Sequence, residues 1–265
     1  MAARLIRRFP LVAFFFLAFS ISWGSCIPFL LAGPVTLPIL FIVGASGPTV
    51  AALIVVGVTG GKPGILDLLS GLLRWRVPFR WWAVALAGPP LLMAASIGIQ
   101  AATGFPPKPP HVPVPALPLP IAIFLAVLPL AAVFEEIGWR GYAQTRLESR
   151  HGPVLAAVIL GILWACWHLP LFLIPGLSHE HMSFGPYLAF AVVLCLWFGW
   201  LYRRTRSILL ASVFHTSINL SGILGGGSPG AELIFGALVV LLTLAILLPC
   251  SSRPRTGKSP VQQDP

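Results

Sequence analysis

Long apolar windows recur along this 265-residue chain, and they constrain its fold more than any other feature. An α-helix needs about 20 residues to cross the ~30 Å hydrocarbon core of a bilayer. Windows close to that length fall at about 9–31, 38–59, 81–101, 120–141, 153–174, 185–202, 207–224 and 231–249. None alternates in the manner of a barrel strand. The sequence therefore predicts an all-α, polytopic membrane protein of about eight transmembrane helices.

The basic residues are grouped at the ends of the spans, and their grouping predicts the topology. The net charge is +10, and only Lys108 lies in a loop of the opposite side. Cytoplasmic loops of membrane proteins are enriched in Lys and Arg, so we expect both termini in the cytoplasm and a multi-pass protein of the plasma (inner) membrane. This placement makes membrane lipids the expected surroundings and predicts no nucleic-acid partner. The groups are Arg4, Arg7 and Arg8; Lys62, Arg74, Arg76 and Arg80; Arg140, Arg146 and Arg150; Arg203, Arg204 and Arg206; Arg253, Arg255 and Lys258.

The organisation along the chain is simple. We expect a single transmembrane domain over residues 1–250 and a disordered cytoplasmic tail over 251–265, since the tail is polar and basic. The segment 60–80 is too short and charged to span, and it predicts a helix along the cytoplasmic interface. The proline-rich segment 104–120 predicts an extended external loop. The segment 175–183 predicts a short external loop whose histidines are exposed to water.

The cysteines have no paired metal spacing and are expected to be unpaired: Cys26, Cys166, Cys195 and Cys250.

Few ionisable or strongly polar residues fall inside the predicted spans. Charged groups at bilayer depth are costly, so they mark chemistry, transport or a buried ion pair, and facing lipid would be unfavourable. Three of the predicted helices carry such groups, and we expect them to face a shared interior. The residues are Glu135, Glu136 and Arg140 in the fourth span, His168 in the fifth, and His215 and Asn219 in the seventh.

Spacing predicts which of these side chains share a face. Glu136 and Arg140 are four residues apart with the acid first, the favourable order for an ion pair on one helix face. Glu135 is turned by about 100° from Glu136 and can point elsewhere. Two further pairs have the same four-residue spacing. Trp164 lies one turn before His168, so an aromatic ring is next to the imidazole. Asn219 lies one turn after His215, so an amide is next to the second imidazole.

The chemistry of this group of residues favours hydrolysis of an amide bond. A carboxylate in an apolar pocket is a competent base, so Glu135 with His168 can activate water for attack on a carbonyl. His215 and Asn219 carry the donors needed to stabilise an oxyanion. Alternatively, Glu135, His168 and His215 ligate a divalent metal such as zinc, and the metal-bound water attacks. The sequence leaves both alternatives open.

These residues resemble the motifs of the CAAX prenyl protease and bacteriocin-processing (CPBP, or type II CAAX protease) family of intramembrane proteases. The Glu135–Glu136 pair with Arg140 resembles the first motif. Trp164 and His168 resemble the second, with Trp where Phe is usual, and the pair His215 and Asn219 resembles the third. The clearest resemblance covers residues 134–219. Three ordered motifs on separate predicted helices are a specific signal, whereas one such motif alone is weak.

The resemblance implies an endopeptidase that cleaves near the C-terminus of a membrane-associated or lipidated protein or peptide. It implies that Glu135 and His168 activate the water and that His215 and Asn219 form the oxyanion site. Glu136, Arg140 and Trp164 are expected to support these four residues. Bacterial members need not process prenylated substrates, and the part played by a metal is disputed in the family. We expect the active site to open toward the cytoplasm.

Other interpretations fit parts of the sequence. The chain can be a catalytically inactive relative that serves as a scaffold or immunity protein, or a proton-coupled transporter that uses Glu135 and His168 as a relay. A transporter usually has inverted repeats, and none is found here. The sequence GASGP contains the GxSG of rhomboid proteases at Ser46, but the order of the motifs is reversed, so small residues at 44–47 more simply predict a close helix-packing face.

Overall fold

The computed structural model describes residues 1–32, 38–103, 127, 129–175, 178–225 and 229–247. All regular secondary structure in these ranges is helical, which confirms the all-α class. A π-helix, Ile137–Gln144, joins α5 to α6, and short 3₁₀ helices lie at Gly71–Leu73, Leu169–Leu173 and Ser178–His181. The α-helices of the described part are α1 Ala2–Arg8, α2 Pro10–Ala32, α3 Pro38–Ser70, α4 Phe79–Ala102, α5 129–136, α6 Thr145–Trp167, α7 Phe184–Thr205, α8 Ile208–Gly225 and α9 Pro229–Leu247.

Five stretches of the described chain are long and apolar enough to cross a membrane, in agreement with a polytopic membrane protein. They are Pro10–Pro28, Ile42–Leu73, Phe79–Ala102, Pro129–Leu173 and Phe184–Thr205. The fourth and fifth windows run together in the fourth stretch, and the last two are shorter apolar helices, Ile208–Gly222 and Leu233–Leu244. Large apolar side chains such as Phe16 and Leu91 point outward, as expected for helices in lipid. Segment 104–120 and tail 251–265 lie outside the described residues.

Two glycines divide long helices into segments of different direction. Gly61 in α3 has φ 59° and Gly152 in α6 has φ 74°, values that only glycine adopts without strain. A proline follows closely in each case, Pro63 and Pro153, and proline is well accommodated in the first turn of a restarted helix. The helical part of segment 60–80 is thereby separated from the preceding span.

The helices pack in pairs around a common core. α2 packs along α3, α6 along α7, and α4 contacts both α8 and α9, while the π-helix lies against α3. The small residues at 44–47 form the predicted packing face: the Ser22 hydroxyl donates to the Gly44 carbonyl oxygen at 2.6 Å, and a Cβ atom on Gly47 would collide with Ser22. The π-helix is central, because Trp139 and Tyr142 are fully buried and both pack on Phe14 of α2.

Gly161 sets the distance between α6 and α7. A Cβ atom at this position would lie 2.5 Å from the Val192 Cα atom, which is backbone and has no rotamer to adjust. We expect Gly161→Ala to lower the free energy of unfolding by about 1–3 kcal/mol, the usual cost of overpacking. Thermal denaturation in detergent measures this change. Gly98→Ala in α4 is the matched control, because nothing lies within 4 Å of its added Cβ atom. An equal effect of the two substitutions would contradict the prediction.

Candidate active site

Glu136 is fully buried and both of its carboxylate oxygens are engaged. Oε2 accepts a hydrogen bond from Arg140 Nε at 2.7 Å, which confirms the predicted i, i+4 ion pair. Oε1 lies 2.9 Å from His215 Nδ1 on α8, a contact that spacing within one helix could not predict. Since an ionised carboxylate only accepts, His215 Nδ1 donates and its Nε2 atom is left for other partners. Glu136 therefore connects the start of the π-helix to α8.

Arg140 is buried as deeply as its partner and fixes the π-helix to α7. Its Nη1 atom donates to Cys195 Sγ at 3.4 Å, and the guanidinium carbon lies 4.2 Å from the centre of the Phe198 ring. Cation–π contacts of this kind are stronger in a desolvated environment. The free cysteine predicted at position 195 is confirmed, and it is an acceptor for the buried cation.

Glu135 has a different environment from its neighbour in the chain. Its Oε2 atom accepts a hydrogen bond from Trp164 Nε1 at 3.0 Å, and the side chain is 7% exposed. Oε1 has no hydrogen-bond donor among the described residues. No basic side chain within the described ranges forms an ion pair with Glu135, whereas Glu136 has two such partners. Of the two adjacent carboxylates, Glu136 is thus ion-paired, whereas Glu135 has one oxygen atom with no described partner.

His168 lies at the end of α6. The helix ends at Trp167 and a 3₁₀ helix with Pro170 follows, so the predicted span 153–174 is not α-helical in its last turns. Pro170 ends the α-helix because it has no backbone N–H to donate. The His168 Nδ1 atom is 2.8 Å from the Trp164 carbonyl oxygen. A carbonyl only accepts, so Nδ1 donates and the neutral imidazole presents Nε2 as an acceptor.

Trp164 joins the motifs of the fourth and fifth spans. Its indole binds Glu135, its carbonyl binds His168, and its ring packs edge-on against His168 at 5.1 Å and against His215 at 5.6 Å. The aromatic ring one turn from His168 was predicted, but the indole N–H as a donor to a carboxylate was not. These contacts also show that α5 and the last turn of α6 meet at one depth.

His179 is not a solvated loop residue, contrary to the prediction for segment 175–183. Its ring is stacked on His168 at 6.0 Å, with an angle of 18° between the ring planes, and it packs edge-on against Phe172 and Tyr187. Burial in this aromatic cluster lowers the pKa of His179. The prediction failed because loop residues look alike in sequence whether they fold back on the protein or extend into water. His111 lies outside the described residues, and nothing is described of the His181 side chain.

The backbone at the site departs from a regular α-helix. Directly after Glu136 the chain forms the π-helix Ile137–Gln144, a feature that the sequence did not predict. α3 lies against this segment: the Thr49 hydroxyl donates to the Phe134 carbonyl oxygen, and a Cβ atom on Gly138 would lie 2.5 Å from the backbone of Pro48. π-helical turns occur often at functional sites. This one changes the direction, around the helix axis, of the side chains that follow Glu135 and Glu136.

Asn219 and Ser46 have weaker ties to the cluster. Asn219 is partly buried one turn beyond His215, and no hydrogen bond joins it to the other candidate residues in the described chain. Its oxyanion role stays a prediction. The Ser46 hydroxyl donates to the Val43 carbonyl oxygen of its own helix at 2.8 Å, and no described contact joins it to a histidine. The GxSG alternative therefore gains no support.

The metal alternative concerns the donor atoms of the same residues. No group of three or more His, Cys, Asp and Glu side chains in the described ranges is arranged to hold a metal ion. Glu135, His168 and His215 each direct one atom to a protein partner. Zinc binding by these three residues stays a prediction.

The comparisons with known proteins agree with the motifs. Residues 117–221 match the family described as type II CAAX prenyl endopeptidase Rce1-like. The chain is also 33% identical over 140 residues to CAAX prenyl protease 2 of Methanococcus maripaludis, an alignment that covers 47% of this chain and 48% of the relative. The chain thus matches about half the length of that curated relative. The resemblance inferred from the three motifs is confirmed, and the family match includes all seven candidate residues.

Proposed function

We propose that this protein is an intramembrane endopeptidase that hydrolyses a peptide bond near the C-terminus of a membrane-associated protein or peptide. The observation that carries the proposal is the contrast between the two adjacent carboxylates. Glu136 is occupied by Arg140 and His215, whereas Glu135 keeps an oxygen with no described donor. A buried carboxylate without an ion-pair contact is costly, so such groups are kept mainly for chemistry.

Glu135 and His168 are suited to activate a water molecule. In the proposed reaction the water donates to Glu135 and to the Nε2 atom of His168, whose tautomer is held by the Trp164 carbonyl. Glu135 takes a proton as the water oxygen attacks the scissile carbonyl carbon. The same proton then passes to the leaving amine as the carbon–nitrogen bond breaks, so the glutamate returns to its starting state.

His215 and Asn219 are assigned to the developing oxyanion. The hydrogen bond to Glu136 fixes the ring of His215 through Nδ1, and in the imidazolium form Nε2 is the second donor. Asn219, one turn further along α8, supplies an amide N–H. Donors aimed at the charge that appears in the transition state are worth more in a site shielded from water.

The substrate class follows from the relative and from the topology. The name CAAX prenyl protease 2 makes a prenylated C-terminal peptide the first candidate for this chain, with an unmodified membrane-tethered peptide as the second. The basic clusters at alternate ends of the spans support cytoplasmic termini, a plasma-membrane location and an active site open to the cytoplasm.

The test is cleavage of membrane-tethered peptide reporters by the purified full chain in detergent. One reporter carries a C-terminal prenyl group and the other is unmodified, and each is incubated with and without a chelator. Cleavage of either reporter supports the proposal, and the more efficient one identifies the substrate class. Loss of activity with chelator, restored by zinc, would establish the metal alternative. No cleavage of either reporter would favour the inactive relative.

Asn219→Ala gives a specific prediction in the same assay. If the amide stabilises the oxyanion, kcat falls by about 100-fold with a small change in KM, because the donor acts in the transition state. Initial rates over a range of reporter concentrations measure both constants. Thr216→Ala is the matched control on the same helix, since the Thr216 hydroxyl donates to the Ser212 carbonyl of its own helix. A normal kcat for Asn219→Ala would remove this residue from the mechanism.

A further inference from the structure

Tyr187 lies in α7, outside the three motifs, and yet it contacts the candidate site. Its ring packs edge-on against His168 at 5.6 Å, against His179 at 5.5 Å and against Phe172 at 5.2 Å. The first turn of α7 therefore reaches His168, one member of the proposed water-activating pair.

The imidazole of His168 is surrounded by rings on several sides. Trp164 and Trp167 come from its own helix, at 5.1 and 4.7 Å between ring centres, and His179 is stacked on it at 6.0 Å. Its one described hydrogen bond, from Nδ1 to the Trp164 carbonyl oxygen, fixes a tautomer but still allows the ring to tilt. The remaining constraint on the ring has to come from packing.

Tyr187 supplies that constraint in two ways. It contacts His168 directly, and it also packs against His179, whose ring is stacked on the imidazole. Burial lowers the pKa of His179, so near neutral pH this ring places no positive charge against His168. The His179 turn, Ser178–His181, is a short 3₁₀ helix, and the ring of His179 joins it to the aromatic cluster.

We propose that Tyr187 is a positioning residue whose aromatic ring, directly and through His179, holds the imidazole of His168 in place to orient the attacking water. This inference rests on the proposed function for its catalytic consequence, but the orientation of His168 can be measured without activity. The ring is the functional part of Tyr187, and the hydroxyl is dispensable. Positioning matters because a displacement of about 1 Å can lower a rate by about 100-fold.

The test compares Tyr187→Phe, which keeps the ring, with Tyr187→Leu, which removes it. We expect Tyr187→Phe to retain kcat within about threefold and Tyr187→Leu to lose about 100-fold, with KM little changed. Phe184→Leu is the matched control, because Phe184 also lies in the first turn of α7 and packs on Phe172 at 5.5 Å without a described contact to His168. We expect it to leave kcat unchanged.

The second readout is nuclear magnetic resonance of ¹⁵N-histidine-labelled protein, with the His168 signals assigned by their loss in His168→Gln. We expect Tyr187→Leu to shift or broaden these signals, and Tyr187→Phe and Phe184→Leu to preserve them. Unchanged signals in Tyr187→Leu overturn the inference, and so does an equal loss of kcat in Tyr187→Phe and Tyr187→Leu. If the wild type cleaves no reporter, the proposed function fails, and the signals alone decide whether Tyr187 positions His168.

Discussion

Replacement of Glu135 by Gln is expected to lower kcat by at least about 1000-fold while the protein remains folded. General-base catalysis contributes about 100- to 10,000-fold, and the amide of glutamine cannot take a proton from water. Gln can still accept the hydrogen bond from Trp164 Nε1 through its carbonyl oxygen, so the geometry described for this side chain is kept. The change therefore isolates the proton transfer from the packing.

Initial rates on the reporter, together with thermal denaturation, measure this effect. Glu148→Gln is the control, because Glu148 is a partly buried acid at the start of α6 whose partners are Arg203 and Gln144. We expect Glu148→Gln to retain kcat within about threefold, because its described partners, Gln144 and Arg203, are not candidate site residues. More than a tenth of wild-type activity in a folded Glu135→Gln protein would exclude Glu135 as the base.

Replacement of Glu136 by Gln is expected to produce the largest loss of stability among isosteric changes at the site. It leaves the fully buried Arg140 guanidinium without a charge partner and weakens the acceptor for His215. Removal of one member of a buried ion pair costs about 3–5 kcal/mol, because the remaining charge stays desolvated. The volume of the side chain is nearly unchanged, so a cavity does not contribute.

The Glu148→Gln control compares the fully buried ion pair of Glu136 with an ion pair that solvent reaches. Glu148 also pairs with an arginine, Arg203, at 3.0 Å, but Arg203 is 33% exposed. Pairs reached by solvent contribute about 0–1 kcal/mol, so Glu148→Gln should have a small effect. Denaturation curves in one detergent compare the two variants directly. A Glu136→Gln protein as stable as Glu148→Gln would mean that the π-helix is not anchored through this ion pair.

Much of the site could be predicted because its first signals are local in sequence. The four-residue spacing of Glu136 and Arg140 predicts an ion pair on one face, and the structure has that pair at 2.7 Å. Pro170 explains why α6 ends at Trp167, but the apolar window extended to 174 and did not indicate this end. Helix geometry operates within a few residues, so no knowledge of the packing is needed to predict the ion pair.

The contacts between helices could not be predicted in the same way. The hydrogen bond from Trp164 to Glu135 and the bond from His215 to Glu136 depend on how the helices are rotated against each other. The π-helix changes that rotation after Glu136, and no residue pattern indicated it. His179 and Tyr187 were missed because their roles depend on the path of a loop and on the first turn of α7.

The lengths of the helices differ from the predicted windows. The apolar windows predicted about eight transmembrane helices, and the described chain has five stretches of spanning length and two shorter apolar helices. The predicted windows 120–141 and 153–174 run together in the fourth stretch, Pro129–Leu173. Gly61 and Gly152, with their positive φ values, are the residues that redirect the long helices.

The most direct test of the central claim is peptide-bond hydrolysis by the wild-type full chain reconstituted in liposomes in H₂¹⁸O. Mass spectrometry of a tethered reporter gives the cleaved bond and the origin of the new carboxylate oxygen. The account predicts two fragments, one atom of ¹⁸O in the new C-terminal carboxylate after a single turnover, and no fragments with Glu135→Gln. An intact reporter with the folded wild type, or fragments with Glu135→Gln at the wild-type rate, would contradict it.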